Sequence, residues 1–116
     1  MQQCVDMLLQ GLEEFEEPAA YYQGNRIVQA NQKFADLFER DIAEFNDLPI
    51  IDIYHNDSIE MVQDFIRRRA HRDVDVPKHY EAAFRTASRP RVMMTVDVLK
   101  LHNTEGAVLA ILHEKD

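Results

Sequence analysis

The chain has 116 residues, of which 46% are apolar, and a formal charge of −8 from 13 basic and 21 acidic side chains. The length fits one domain with a modest core, and the composition excludes a disordered chain. The acidic balance argues against nucleic acid as a partner, because phosphate recognition uses a basic face.

No apolar run approaches membrane-spanning length, and no charged-then-apolar leader opens the sequence. A cytoplasmic location without membrane contact is expected. The single Cys4 cannot close an internal disulfide, which suits a reducing compartment.

Residues 1–17 form the first predicted element, a helix flanking a domain over 18–116. Val5, Leu8, Leu12 and Phe15 follow a three-four spacing and make one apolar stripe. Glu13, Glu14, Glu16 and Glu17 crowd its end against the helix dipole, and Pro18 stops it. The stripe packs either on the domain's own core or on a second copy, with the four residues at a and d positions of a homodimer interface.

A hairpin follows, with strands over 19–22 and 26–30 and a turn at Gln23, Gly24 and Asn25. Asn31 then ends the second strand and caps a helix, its side-chain oxygen accepting from the amide of Lys33 or Phe34. Phe34, Leu37 and Phe38 make that helix's apolar face. Residues 41–55 read as short helical turns broken at Pro49 and anchored by Ile42, Phe45, Leu48, Ile51 and Ile53. Asp57, with Glu60 three residues on, is the expected cap of a longer helix. Ile59, Val62, Phe65 and Ile66 are its apolar face. Arg67, Arg68, Arg69, His71 and Arg72 finish it, where positive charge is favoured.

The remainder alternates as strands. Tyr80, Ala82 and Phe84 share one face, and Val92, Met94, Val96 and Val98 another. A slip in phase at Leu99 and Leu101 predicts a bulge. Residues 103–106 make a turn, and 107–113 form a near-continuous apolar strand, expected to be central and covered on both faces. The result is an α+β fold, a five-stranded antiparallel sheet with the middle helices packed on one face and the first helix outside it.

With that order in place, the sequence resembles a PAS domain over roughly residues 12–116. IVQANQKFADLF (27–38) resembles the stretch where the second strand runs into an Asn-capped helix. AEFNDLPIIDIYHNDS (43–58) resembles the segment leading into the long helix, and AVLAILHEKD (107–116) the last strand and acidic exit. The family often carries Gly where Glu39 and Asp47 stand, and again in the turn that here reads Ala87-Ser88-Arg89-Pro90. The resemblance implies a sensory or dimerising module of a larger signalling chain, such as a sensor kinase of a two-component system, a cyclic-dinucleotide enzyme, a chemoreceptor or a transcriptional regulator. Its effector domain would lie in the same full-length chain, of which this would be an excised piece or the front.

For a small-molecule ligand, the resemblance places a pocket between the sheet and Phe34, Leu37, Phe38, Ile53, Phe65 and Ile66, facing Val96 and Ile111 or their neighbours. The same residues also read as ordinary core filling. Flavin-adduct chemistry in related domains uses a Cys on a middle helix, whereas the thiol here is Cys4. Redox flavin domains commonly use a Trp, and there is none. Haem-binding relatives use a His on or near the long helix, for which His55 and His71 are the candidates. Neither haem nor flavin is expected, nor is a metal, since His55 and Asp57 are two apart and His71 and His79 are separated by Pro77, so neither makes a helix-face pair.

No nucleophile stands in a catalytic context, so the domain itself is not expected to be an enzyme. The alternative is a small cone-fold, isomerase-like enzyme using Asp97 as an acid in an apolar cavity. A solvent-facing Asp97 would remove it.

Overall fold

The computed structural model describes residues 12, 15–70, 76–100 and 107–114. Most of the predicted first helix, including Val5 and Leu8, lies outside them, as do Cys4, His71, Leu101 and the 103–106 turn. The described elements are β1 (Ala19–Gln23), β2 (Arg26–Ala30), α1 (Gln32–Phe38), a 3-10 turn (Ile42–Phe45), β3 (Leu48–Pro49), a second 3-10 turn (Ile50–Asp52), α2 (Asn56–Ala70), β4 (His79–Phe84), β5 (Val92–Lys100) and β6 (Ala107–Glu114). The strands form one antiparallel sheet in the order β3-β2-β1-β6-β5-β4. The five expected strands are present. The sixth, β3, is only two residues long and pairs Leu48 with Ile27 and Pro49 with Arg26 at the sheet edge. A proline is tolerated there because an edge strand need not donate on both sides.

β6 lies between β1 and β5, as expected, and alternation sorts its side chains. Val108, Ala110 and Leu112 face the helices, and Ala107, Leu109 and Ile111 face away. The helix side holds the main core, whose largest members include Phe34, Phe38, Phe45, Ile53, Tyr54, Phe84 and Met94. On the far side Leu12, Ala19, Tyr21, Ala107 and Leu109 are buried together, with Val28 and Ile111 packed against them.

Asn31 holds the two sides in register. Its Oδ1 accepts from the Phe34 amide (2.9 Å), capping α1, and from the Ala19 amide (3.1 Å). Its Nδ2 donates to the carbonyls of Leu12 and Glu17, each at 3.0 Å. All four bonding positions of one carboxamide are thus occupied, and the side chain is buried. The predicted cap is present, and the same side chain also fastens the segment that leads into β1.

Two local expectations are corrected. The bulge predicted at Leu99 does not form, because β5 keeps unbroken register with β6 from Met94 to Lys100 and Leu99 projects outward, 52% exposed. The irregularity lies instead between β1 and β2, where Tyr21 pairs Gln29 but Tyr22 pairs Ile27. The extra residue lets Ile27 and Ala30, three apart, both reach the core. The cap expected from Asp57 is supplied by His55. Helix α2 starts at Asn56, two residues earlier than a cap at Asp57 would place it, the His55 Nδ1 accepts the Asp57 amide (3.0 Å), and the Asp57 carboxylate pairs with Arg91.

Candidate functional site

The interior between the sheet and the helices has two unlike halves. One is closed by aromatic rings. Phe34 contacts Phe38 and Phe45 with centroids 4.8 and 5.2 Å apart, Phe38 contacts Phe84 at 5.7 Å, and Phe84 contacts Tyr54 at 4.3 Å. These edge and tilted contacts fill the space beside α1.

The other half is polar. Tyr22 comes from β1, Tyr80 from β4, Tyr54 from the segment after the second 3-10 turn, where it bridges Phe84, and Arg69 from the last turn of α2. Arg69 shares its helix face with Ser58, Val62 and Phe65, by spacings of four, three and four. The Phe65 ring packs edge-on against Tyr80 at 4.9 Å. Beneath, the sheet offers small side chains, since Ala20 pairs Ala30 and Ala110, and Ala110 pairs Val98. A floor of alanines lets tyrosines from strands far apart in the sheet converge above it.

Tyr22 and Tyr54 are 5% and 0% exposed, yet among the described residues neither hydroxyl, nor the buried Nη2 of Arg69, makes a hydrogen bond of good geometry, although Tyr22, Tyr54, Tyr80 and Arg69 lie close enough to perturb one another. Each such group costs on the order of 1–3 kcal/mol when left unsatisfied. Burial raises the Tyr22, Tyr54 and Tyr80 phenols, the first two well above their ordinary range, so all three keep their protons. The nearby Arg69 charge partly opposes this for Tyr22 and Tyr80. Among the described residues no carboxylate pairs with Arg69, whereas Arg67 and Arg68 both pair with Asp64, at 2.5 and 3.7 Å. Among the described residues the site is therefore a set of hydroxyls and the partly buried cation of Arg69, with no paired carboxylate, in an apolar surround.

No protein-family model matches the sequence, and no curated protein matches it. Solved structures do. The PAS domain of an HTR-like protein from Haloarcula marismortui matches with a TM-score of 0.72 and 20% identity, over 98% of this chain and 93% of that one. A domain of a sensory box sensor histidine kinase/response regulator from Geobacter sulfurreducens matches at 0.70 and 12% identity, over 97% and 93%. The LOV protein of Rhodobacter sphaeroides matches at 0.78 and 7% identity, over 99% and 69%. The chain has the PAS fold.

The departures from the PAS sequence pattern are explained by the backbone. Glu39 and Asp47, which stand where the family often has Gly, both have positive φ, 60° and 65°. The fold keeps the left-handed geometry without the residue that adopts it most easily. The turn at 87–90 needs no glycine. It is closed by Thr86, whose amide donates to the Arg89 carbonyl (2.9 Å) and whose Oγ1 accepts the Arg89 amide (3.0 Å).

Of the residues assigned to a PAS pocket, Phe34, Phe38, Ile53, Phe65 and Val96 are buried on the helix side, with Leu37 and Ile66 packed partly buried against them. Ile111 faces the other side of the sheet, and its neighbours Ala110 and Leu112 take the inward places. The polar members were missed. In the sequence Tyr22 and Tyr80 read as strand formers and Arg69 as one of a dipole-satisfying cluster. The available signal was an aromatic hydroxyl at an inward position in each of two strands and beside a 3-10 turn.

Of the two candidate haem ligands, His71 lies outside the described residues and His55 is already engaged. His55 spends Nδ1 on the Asp57 amide at the start of α2 and faces its carboxylate at 3.4 Å. Asp97 lies on the outer face of β5, with its side chain 43% exposed and 2.5 Å from His79 Nδ1, so it is not the acid in an apolar cavity that the cone-enzyme alternative requires. A surface hollow of about 420 Å³ beside Arg40, Asp52 and Arg85 is a structural join. There Arg85 Nε donates to the Tyr54 carbonyl (3.0 Å) and Nη2 to that of Asp52 (3.3 Å). No helix among the described residues is long and apolar enough to cross a membrane.

Proposed function

We propose that the chain is a sensory or protein-interaction module of a larger cytoplasmic signalling protein, such as a sensor kinase, a cyclic-dinucleotide enzyme, a chemoreceptor or a transcriptional regulator. It acts by binding a ligand, a second copy of itself, or both, and not by catalysis. The observation that carries the reading is the unsatisfied interior polar cluster of Tyr22, Tyr54 and Arg69 within a PAS fold. A domain kept only for its packing gains nothing from buried donors without partners. Asn31 supports a path outward, because it bonds both the capped helix beside the core and the backbone of the segment leading into β1.

Pairing through the stripe Val5, Leu8, Leu12 and Phe15 is part of the proposal. Leu12 is buried against its own sheet, and Phe15 is 37% exposed. In this reading the outward residues of the stripe meet the partner helix while Leu12 anchors the helix to the domain. Light scattering of the chain with and without residues 1–16 tests it. A dimer that becomes a monomer on truncation supports pairing, and a monomer in both forms ends it.

A further inference from the structure

We infer that the interior polar cluster is a binding site for a small monocarboxylate, its carboxylate held by Arg69 and by the Tyr22 and Tyr54 hydroxyls. The inference deepens the sensory reading above and rests on it.

The unpartnered atoms point to the ligand's chemistry. Arg69 Nη2 donates only, and the protonated phenols of Tyr22 and Tyr54, which neighbour each other and Tyr80 without a hydrogen bond of good geometry, can turn their protons to a better acceptor. A ligand that satisfies all three must present two or more acceptor atoms close together. A carboxylate does this, and guanidinium–carboxylate pairing is favoured by both charge and geometry. The charge count narrows the class. Among the described residues the site holds one cation, Arg69, with no paired carboxylate, so it balances one negative charge. A doubly charged phosphate would carry an uncompensated charge into the apolar surround.

The surround also sets the rest of the molecule. Val62, Phe65 and Ile66 of α2 and the Ala20–Ala110–Val98 row of the sheet are apolar. They leave a small apolar body as the natural partner of the acid group. Tyr80 lies beside the site with its ring held against Phe65, and it supplies a wall as well as a third hydroxyl.

The experiment compares acetate, propionate and benzoate with the corresponding amides, using thermal unfolding and isothermal calorimetry on the whole chain. The amides have the same shape without the charge. The site predicts that at least one acid raises the melting temperature and binds at least about tenfold more tightly than its amide. Arg69→Gln removes that preference, and Arg69→Lys restores part of it. Tyr54→Phe weakens acid binding while leaving the unliganded domain folded, because it removes an unsatisfied oxygen from an apolar interior. Amides that bind as well as the acids overturn the carboxylate assignment and leave the sensory reading standing. An acid effect that survives Arg69→Gln places the acid elsewhere and overturns it too. No binding of either set overturns it, and the module reading then depends on pairing, which the light-scattering comparison tests separately.

Discussion

At the scale of single residues, Asn31 has the largest structural consequence. Its carboxamide bonds to four backbone groups from four places in the chain, near Leu12, Glu17, Ala19 and Phe34. Asn31→Ala is expected to lower stability by about 2–4 kcal/mol, the sum of a lost cap and buried groups left unpaired. Asn31→Asp keeps the acceptor that caps α1 but turns a carboxylate oxygen toward two carbonyls, so it is expected to cost a comparable amount. Urea unfolding measures both, and an Asp variant as stable as wild type would show that the donor side of the amide is idle. The left-handed residues allow an opposite prediction. Asp47→Gly relieves a positive φ at the loss of only an exposed contact to Arg26, so it is expected to stabilise by about 0.5–1 kcal/mol. Glu39→Gly is not expected to gain in the same way. The Ser88 hydroxyl donates to the Glu39 carboxylate at 2.6 Å and helps hold it below its ordinary range, and glycine forfeits that bond.

At the scale of elements, the sheet's far edge shows how helix and strand are joined. β4 is an edge strand, but its outward groups at one end are used. Ala83 donates to Ser58 Oγ (2.8 Å) and accepts from the His55 amide (2.9 Å), and the Arg85 amide donates to the Ile53 carbonyl (2.8 Å). The start of α2 therefore covers an edge that would otherwise template pairing with another chain. Ser58 is 8% exposed, and Ser58→Ala strands the Ala83 amide in an apolar place. The expected cost is about 1–3 kcal/mol, with Ser58→Thr recovering most of it. Hydrogen exchange at Ala83 is the sharper readout, because the alanine variant should lose protection there before it does in the middle of β6.

Much of this level was legible in the sequence. The cap at Asn31, the inward alternation of β5 from Val92 to Val98 and the central place of β6 follow from residue type and period. The bulge was misplaced, since Leu99 breaks a hydrophobic pattern only if every leucine is assumed to be buried. The real slip falls in β2, where five residues are too few to reveal it. His55 was not legible as a cap, because an imidazole accepting an amide is indistinguishable in sequence from one left in solvent.

At the scale of the whole molecule, the topology brings the site together. Tyr22 and Tyr80 are separated by two strands in the sheet, β6 and β5, and by 57 positions in the chain. Tyr54 enters from the segment after a 3-10 turn and Arg69 from the far end of α2. No local pattern links the four, so the sequence placed the apolar lining and missed the polar centre. The same topology separates that centre from the outer face, where Leu12, Leu109 and Ile111 form a second cluster, and Asn31 is the bonded link between the two sides.

Binding decides between an interior that holds a ligand and one that is only a filled core. Native mass spectrometry of the chain, mixed with each small acid of the set and compared with Arg69→Gln, tests it most directly. The account predicts one bound equivalent of at least one acid in the wild-type protein and none in the variant. Bare chain in both, for every acid, would contradict it.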